Sequence, residues 1–167
     1  MTNHQLINQS SGDVEIYTPQ FIIEAARETM GGIDLDPASS YAANKRVKSE
    51  VIFTEKEDGL SMTWFGNVWM NHPFSRKGNA DWIKKLMQAY ALGHAKQACC
   101  ICFASTSEKW FQPLFDYPMC FLSPRTNYLR PDGTVYRGVT KGSVVTYLGP
   151  DLESFRKNFS PLGKIKV

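Results

Sequence analysis

Apolar positions along the chain follow two rhythms, and the order in which they alternate predicts an α/β fold. Residues 14–17 lead into Thr18-Pro19, a helix start with Thr as N-cap and Pro at the first helical position. The next segment sets Ile22, Ala25, Ala26 and Met30 on one helical face and stops at Gly31-Gly32. Residues 33–35 read as a short strand that breaks at Asp36 into the small-residue loop Pro37-Ala38-Ser39-Ser40. Val51-Ile52-Phe53 predicts a second strand, and Val68-Trp69-Met70 ends a third. Ile83, Leu86, Met87 and Tyr90 recur at helical spacing, from about Asp81 to a cap at Gly93. Residues 98–104 form a wholly apolar run of strand length. Trp110, Phe111, Leu114 and Phe115 then predict a helix whose aromatic face is core rather than a stacking platform.

Strand, helix, strand, helix is the order of a mostly parallel sheet with crossover connections and helices on its faces. Past Pro118 the pieces shorten. Residues 119–122 read as a strand, 129–136 as a hairpin about Asp132-Gly133, and 144–148 as a further strand. A last amphipathic helix carries Leu152, Phe155 and Phe159. Residues 1–13 are polar and predict a loose arm, which leaves 14–167 as a single domain. No repeat, low-complexity tract or linker interrupts it.

Composition narrows the picture modestly. With 167 residues, 43% hydrophobic and 21% charged, the chain can bury a core of its own. A net charge of +3 is compatible with a nucleic-acid partner without demanding one. No apolar run approaches the roughly 20 residues of a membrane span, and no signal-peptide pattern opens the chain, so a cytoplasmic protein is expected. Cys99, Cys100, Cys102 and Cys120 lack metal or redox spacing, and the three in 98–104 read as reduced core residues. His4, His72 and His94 are too scattered for a metal cluster, and no metal is expected.

Candidate chemistry concentrates where strands end. In an open α/β sheet ligands lie beyond the carboxyl ends of the strands, which singles out Asn71-His72-Pro73-Phe74 after Met70. Pro73 holds His72 extended, so the Asn71 side-chain carbonyl and nearby main-chain carbonyls can face one external donor beside the Phe74 ring. Two acceptors and a ring suit a planar amino group, either on a base or in a side-chain amide. Asp34 and Asp36, at spacing two, point the same way from a strand unless the chain turns. Asp36 is the one at the strand end, and Asp58 stands at the lip of the Asp58-Gly59-Leu60 turn. Arg76 and Lys77 follow the motif, while Arg125, Arg130, Arg137 and Lys141 alternate with Tyr128 and Tyr136. That basic and aromatic segment, 124–142, is a candidate contact for DNA or a solvated hairpin.

As an ordered set these pieces resemble the phage-type DNA N6-adenine methyltransferases. Tyr17-Thr18-Pro19 is similar to the family's opening segment, and Asp34-Leu35-Asp36-Pro37-Ala38-Ser39 to its cofactor-binding strand and loop. Glu57-Asp58-Gly59-Leu60, Trp64 and Val68–Ser75 follow its central pattern, and Trp110-Phe111 and Lys141–Val145 also match. Two departures stand out: His72 replaces the first proline of the usual Asn-Pro-Pro-Tyr/Phe, and no glycine-rich loop follows the cofactor strand.

The resemblance implies a Rossmann-like enzyme of a phage or prophage that moves a methyl group from S-adenosylmethionine to adenine N6 in DNA. It implies catalytic roles for Asn71, His72, Pro73 and Phe74, with base flipping to present the adenine. Cofactor contacts are implied for Tyr17, Thr18, Pro19, Asp34, Asp36, Pro37, Ala38 and Asp58, and DNA contacts for Arg76, Lys77, Arg125, Arg130, Arg137 and Lys141. The acceptor expected at His72 is its main-chain carbonyl, so the imidazole is expected to be dispensable and His72→Pro to keep or raise the rate. Two alternatives stay open: a retired DNA-binding protein on the same fold, and a methyltransferase of RNA or protein glutamine.

Overall fold

A computed structural model describes residues 16–73 and 76–167, the side chains of Arg76 and Lys77 excepted. The expected arm at 1–13 lies outside these residues.

The chain builds one seven-stranded sheet. Its strands are β1 (Leu35–Asp36), β2 (Val51–Ile52), β3 (Gly66–Met70), β4 (Ala95–Phe103), β5 (Met119–Leu122), β6 (Ser143–Leu148) and β7 (Gly163–Lys166), in the order β2-β1-β3-β4-β6-β5-β7. The first four are parallel, as the alternating pattern predicts, and β6 then pairs antiparallel with both β4 and β5. β4 is central: Ala98, Cys99, Cys100, Ile101 and Cys102 are fully buried, which is why that run shows no polar alternation. Its three cysteines and Cys120 are free thiols in the core.

Helix α1 (Gln20–Met30) buries the predicted face and ends at Gly31, whose φ of 78° and N–H bond to the Arg27 carbonyl form a left-handed cap. Its start differs from expectation. Pro19 is the N-cap, no side chain caps the helix, and the Thr18 hydroxyl is used elsewhere. Helix α2 (Tyr41–Val47) has no apolar period because it buries Val47 alone; what starts it is Ser40, whose hydroxyl accepts from the Ala43 N–H at 3.0 Å.

Helix α3 (Arg76–Ala91) begins five residues earlier than its apolar rhythm indicates, tolerating Gly78 because Asn79 and Trp82 turn inward. The predicted helix around Trp110 is a 3-10 helix, Gln112–Asp116. Phe111 and Leu114, buried at spacing three, suit that tighter winding, and Pro113 sits in its first turn. Residues 129–136 form a tight turn with two isolated bridges, Leu129 to Val135 and Leu129 to Tyr17, rather than a laddered hairpin. Helix α4 (Leu152–Phe159) packs Phe155 against the Tyr147 ring and rests on α1, Ser154 Oγ donating to the Thr29 carbonyl at 3.1 Å.

Candidate active site

The sheet reverses its winding between β1 and β3: from β1 the chain passes outward to β2, then returns to β3 on the other side. Leu35 is in register with Val68, so the carboxyl ends of these neighbours, Asp36 and Met70-Asn71, open onto one crevice. A topological switch point of this kind is where an α/β sheet binds ligand.

Asn71 is half-buried at that crevice, and its amide nitrogen donates to Thr18 Oγ1 at 3.1 Å. The bond engages the amide through its nitrogen, which leaves Oδ1 as the oxygen that can accept from another group. Thr18 is itself held: Tyr17, Thr18 and Pro19 are all buried, and Tyr17 exchanges backbone hydrogen bonds of 2.7 and 2.9 Å with Leu129. The opening segment thus touches the acceptor amide directly.

His72 is enclosed. Its imidazole is 2% exposed, lies 2.6 Å from Asn79 Oδ1 through Nε2, and stacks on Trp82 with ring centroids 6.5 Å apart. It also lies against the Cys100 thiol. A side chain so enclosed is part of the framework behind its own main-chain carbonyl. Trp82 continues to Trp64, 6.0 Å away, and Trp64 Nε1 donates to the Gly59 carbonyl at 2.8 Å. Pro73 is exposed beside this stack, and Phe74 lies outside the described residues.

The carboxylates divide. The structure places Asp34 apart from Asp36: its Oδ2 accepts the Asn67 N–H at 2.7 Å, near the amino end of β3 and away from the crevice. Asp36 is at the crevice but buried and folded back, accepting from the Ala38 N–H at 3.2 Å. Burial raises its pKa from 3.8 to about 7, against the hydrogen bonds from Ala38 and Ser39 that favour the charge. Asp36 therefore shapes the loop Pro37-Ala38-Ser39 rather than offering an open carboxylate. Asp58 is the exposed one, held in a left-handed conformation at φ 57°. It is brought to the Pro37 loop by Gly59, where a Cβ would fall 1.9 Å from the Pro37 carbonyl oxygen.

A family model, DNA N-6-adenine-methyltransferase (Dam), matches residues 7–133, more than half of the chain. The chain belongs to the Dam family. Membership makes it an enzyme of the DNA adenine methyltransferase class, and the matched span contains Thr18, Asp36, Asp58, Asn71 and His72 together. No curated protein matches it.

In this Dam-family chain the basic positions past β5 lie on the 124–142 segment, which the Tyr17–Leu129 bridge ties to the opening segment. Arg125, Arg130 and Arg137 are exposed, and Lys141 is half-buried with its ammonium 5.7 Å from the Phe103 ring centre. Arg130 covers the Tyr136 ring at 5.1 Å. Arg46, absent from the sequence-derived set, lies over the Tyr17 ring at 5.9 Å and beside Gly133. Arg76 and Lys77 open α3, one turn before Asn79. Among the described residues no cluster of His, Cys, Asp and Glu could hold a metal ion, and no helix is long and apolar enough to cross a membrane. Asn79, Trp82 and Gly59 drew no candidate role from the sequence, and each meets the site only through a neighbour that it packs against. The Asn79 and Trp82 spacing of one helical turn, seven and ten residues after His72, is the signal that could have found two of them.

Proposed function

We propose that the protein transfers a methyl group from S-adenosylmethionine to the N6 amino group of adenine in DNA, on a Rossmann-like domain spanning 14–167. The observation that supports this reading is the Thr18–Asn71 hydrogen bond, which occupies the Asn71 amide nitrogen and leaves its oxygen as the acceptor. Family membership supplies the substrate class.

S-adenosylmethionine supplies a methyl group on a sulfonium, so the leaving group is already good. The residues at the crevice fit such a donor. Asp58 offers an exposed carboxylate for its hydroxyl or amino groups, and Pro37-Ala38-Ser39 presents a small-residue wall in place of a glycine-rich loop. Tyr17, Thr18 and Pro19 would close the same side from beneath, and Asp36 would hold the wall in shape.

What adenine lacks is nucleophilicity, because its N6 lone pair is delocalised into the ring. Asn71 Oδ1 and the His72 main-chain carbonyl would accept the two amino hydrogens and draw them out of the ring plane, localising that lone pair. Holding N6 in line with the methyl carbon then lowers the barrier by orientation. Pro73 limits His72 to extended backbone and so steadies the second acceptor. A paired adenine cannot reach these acceptors, so the base flips out of the duplex, with Phe74 placed by the sequence to stack on it. The basic residues Arg125, Arg130, Arg137 and Lys141, with Arg76 and Lys77 beside the motif, would neutralise phosphates.

The experiment is to incubate the protein with tritiated S-adenosylmethionine and, separately, DNA, RNA and cell protein. Label in DNA adenine alone supports the reading; label in RNA or protein, or in nothing, overturns it.

A further inference from the structure

Helix α3 turns two buried side chains, Asn79 and Trp82, onto the back of the acceptor motif. Asn79 Oδ1 lies 2.6 Å from His72 Nε2, and the imidazole stacks on Trp82 at an interplanar angle of 25°. Asn79 is 8% exposed, so the pair is shielded from water at both ends. Pro73 restricts His72 to extended backbone but does not fix its φ, as a proline at position 72 itself would. The remaining freedom would swing the His72 carbonyl, the very group assigned to an adenine hydrogen. A side chain locked at its tip and on its ring face removes that freedom.

We propose that Asn79 is a positioning residue for methyl transfer: by accepting a hydrogen bond from His72 Nε2–H, it sets the direction of the His72 main-chain carbonyl. The inference rests on the acceptor role given to that carbonyl above. Misplacement of a first-contact group by fractions of an ångström is enough to cost rate, and the supporting hydrogen bond is what prevents it. A pair that served stability alone would lower the unfolding midpoint and leave the turnover of the folded protein unchanged.

The test is a double-mutant cycle on the full chain, reading the single-turnover rate at saturating cofactor and DNA together with the unfolding midpoint. Asn79→Leu, which keeps volume and removes the acceptor, is expected to slow single turnover about tenfold, the worth of one buried hydrogen bond. Cofactor and DNA affinities should stay within about twofold, because no group that touches either has been removed. Asn79→Asp keeps an oxygen in place and should restore most of the rate. His72→Pro alone should keep most of the rate, because proline fixes φ without the hydrogen bond, while the stranded Asn79 amide lowers the unfolding midpoint. On that background Asn79→Leu should cost nothing further or should raise the rate. If Asn79→Leu does not fold, Asn79→Ser, too short to reach the imidazole, takes its place in the cycle. Wild-type turnover in Asn79→Leu, or an equal loss from it in both backgrounds, overturns the inference while leaving the reaction intact. A wild type that methylates no DNA overturns the reading beneath it, and the inference falls with it.

Discussion

The Thr18 hydroxyl and the Asn71 amide, fifty-three residues apart in sequence, meet at 3.1 Å, so the opening segment holds that amide instead of capping its own helix. Thr18→Val keeps shape and removes the oxygen. The Asn71 amide is then free to rotate, and the methylation rate at saturating substrates should fall about tenfold, the effect of one buried hydrogen bond. Asn71→Ala removes the acceptor itself and should cost a hundredfold or more, roughly the worth of a preorganised donor or acceptor at a reacting centre. Calorimetry should find S-adenosylmethionine affinity nearly unchanged in Asn71→Ala. An Asn71→Ala protein with most of its turnover would remove the assigned role.

Gly59 gives a prediction about the opposite wall. A Cβ there would fall 1.9 Å from the Pro37 carbonyl oxygen and 3.1 Å from the Trp82 ring, and the closer of these atoms is main chain and cannot swing away. Gly59→Ala should therefore lower stability by about 1–3 kcal/mol in urea unfolding, as overpacking does. It should also weaken cofactor binding, since Pro37-Ala38-Ser39 must move. Gly142→Ala, where a Cβ would meet nothing within 4 Å, is the control and should be nearly neutral. Equal effects at the two glycines would show that the wall is not packed as described.

How much of this was legible beforehand depends on whether a residue acts by pattern or by partner. α1, α4, the buried run in β4 and the parallel half of the sheet follow from apolar spacing, because burial imposes that spacing on the sequence. Asn71 and Asp36 stand out in the sequence because each falls at the carboxyl end of a strand, and the structure places both there. α2 was silent because it buries one residue, and β7, a half-exposed edge strand, carries too little alternation to read. The sequence does not separate Asp34 from Asp36, because their spacing says nothing of the Asn67 N–H, thirty-three residues on, that claims Asp34. The sequence shows only the backbone role of His72, because its side-chain partners lie on the following helix.

A third prediction concerns the exposed arginines. If Arg125, Arg130 and Arg137 meet phosphates, each change to Ala should weaken DNA binding uniformly across sequences. Each should also reduce the slope of log affinity against log salt by about 1. Turnover at saturating DNA should hold, because none of the three touches Asn71 or His72. An unchanged slope in the triple variant, measured by fluorescence anisotropy, would place the DNA elsewhere.

The last prediction follows from Asp36. Burial raises its pKa from 3.8 to about 7, so the folded protein holds this proton more firmly than the unfolded chain does. Between those values folding takes up a proton. The stabilising contribution is complete below pH 3.8, shrinks as pH rises and is gone above about 7. The steepest slope one such group can impose is about 1.4 kcal/mol per pH unit. Asp36→Asn keeps an oxygen for the Ala38 N–H and can never ionise, so its stability lacks this slope. Urea unfolding at pH 5, 6, 7 and 8 should then show the variant gaining on the wild type as pH rises, with the gap levelling off near pH 8. Every other titrating group cancels in that difference. Parallel profiles would mean that Asp36 is ionised throughout, and that a cation or water reaches the carboxylate which Pro37-Ala38-Ser39 here encloses.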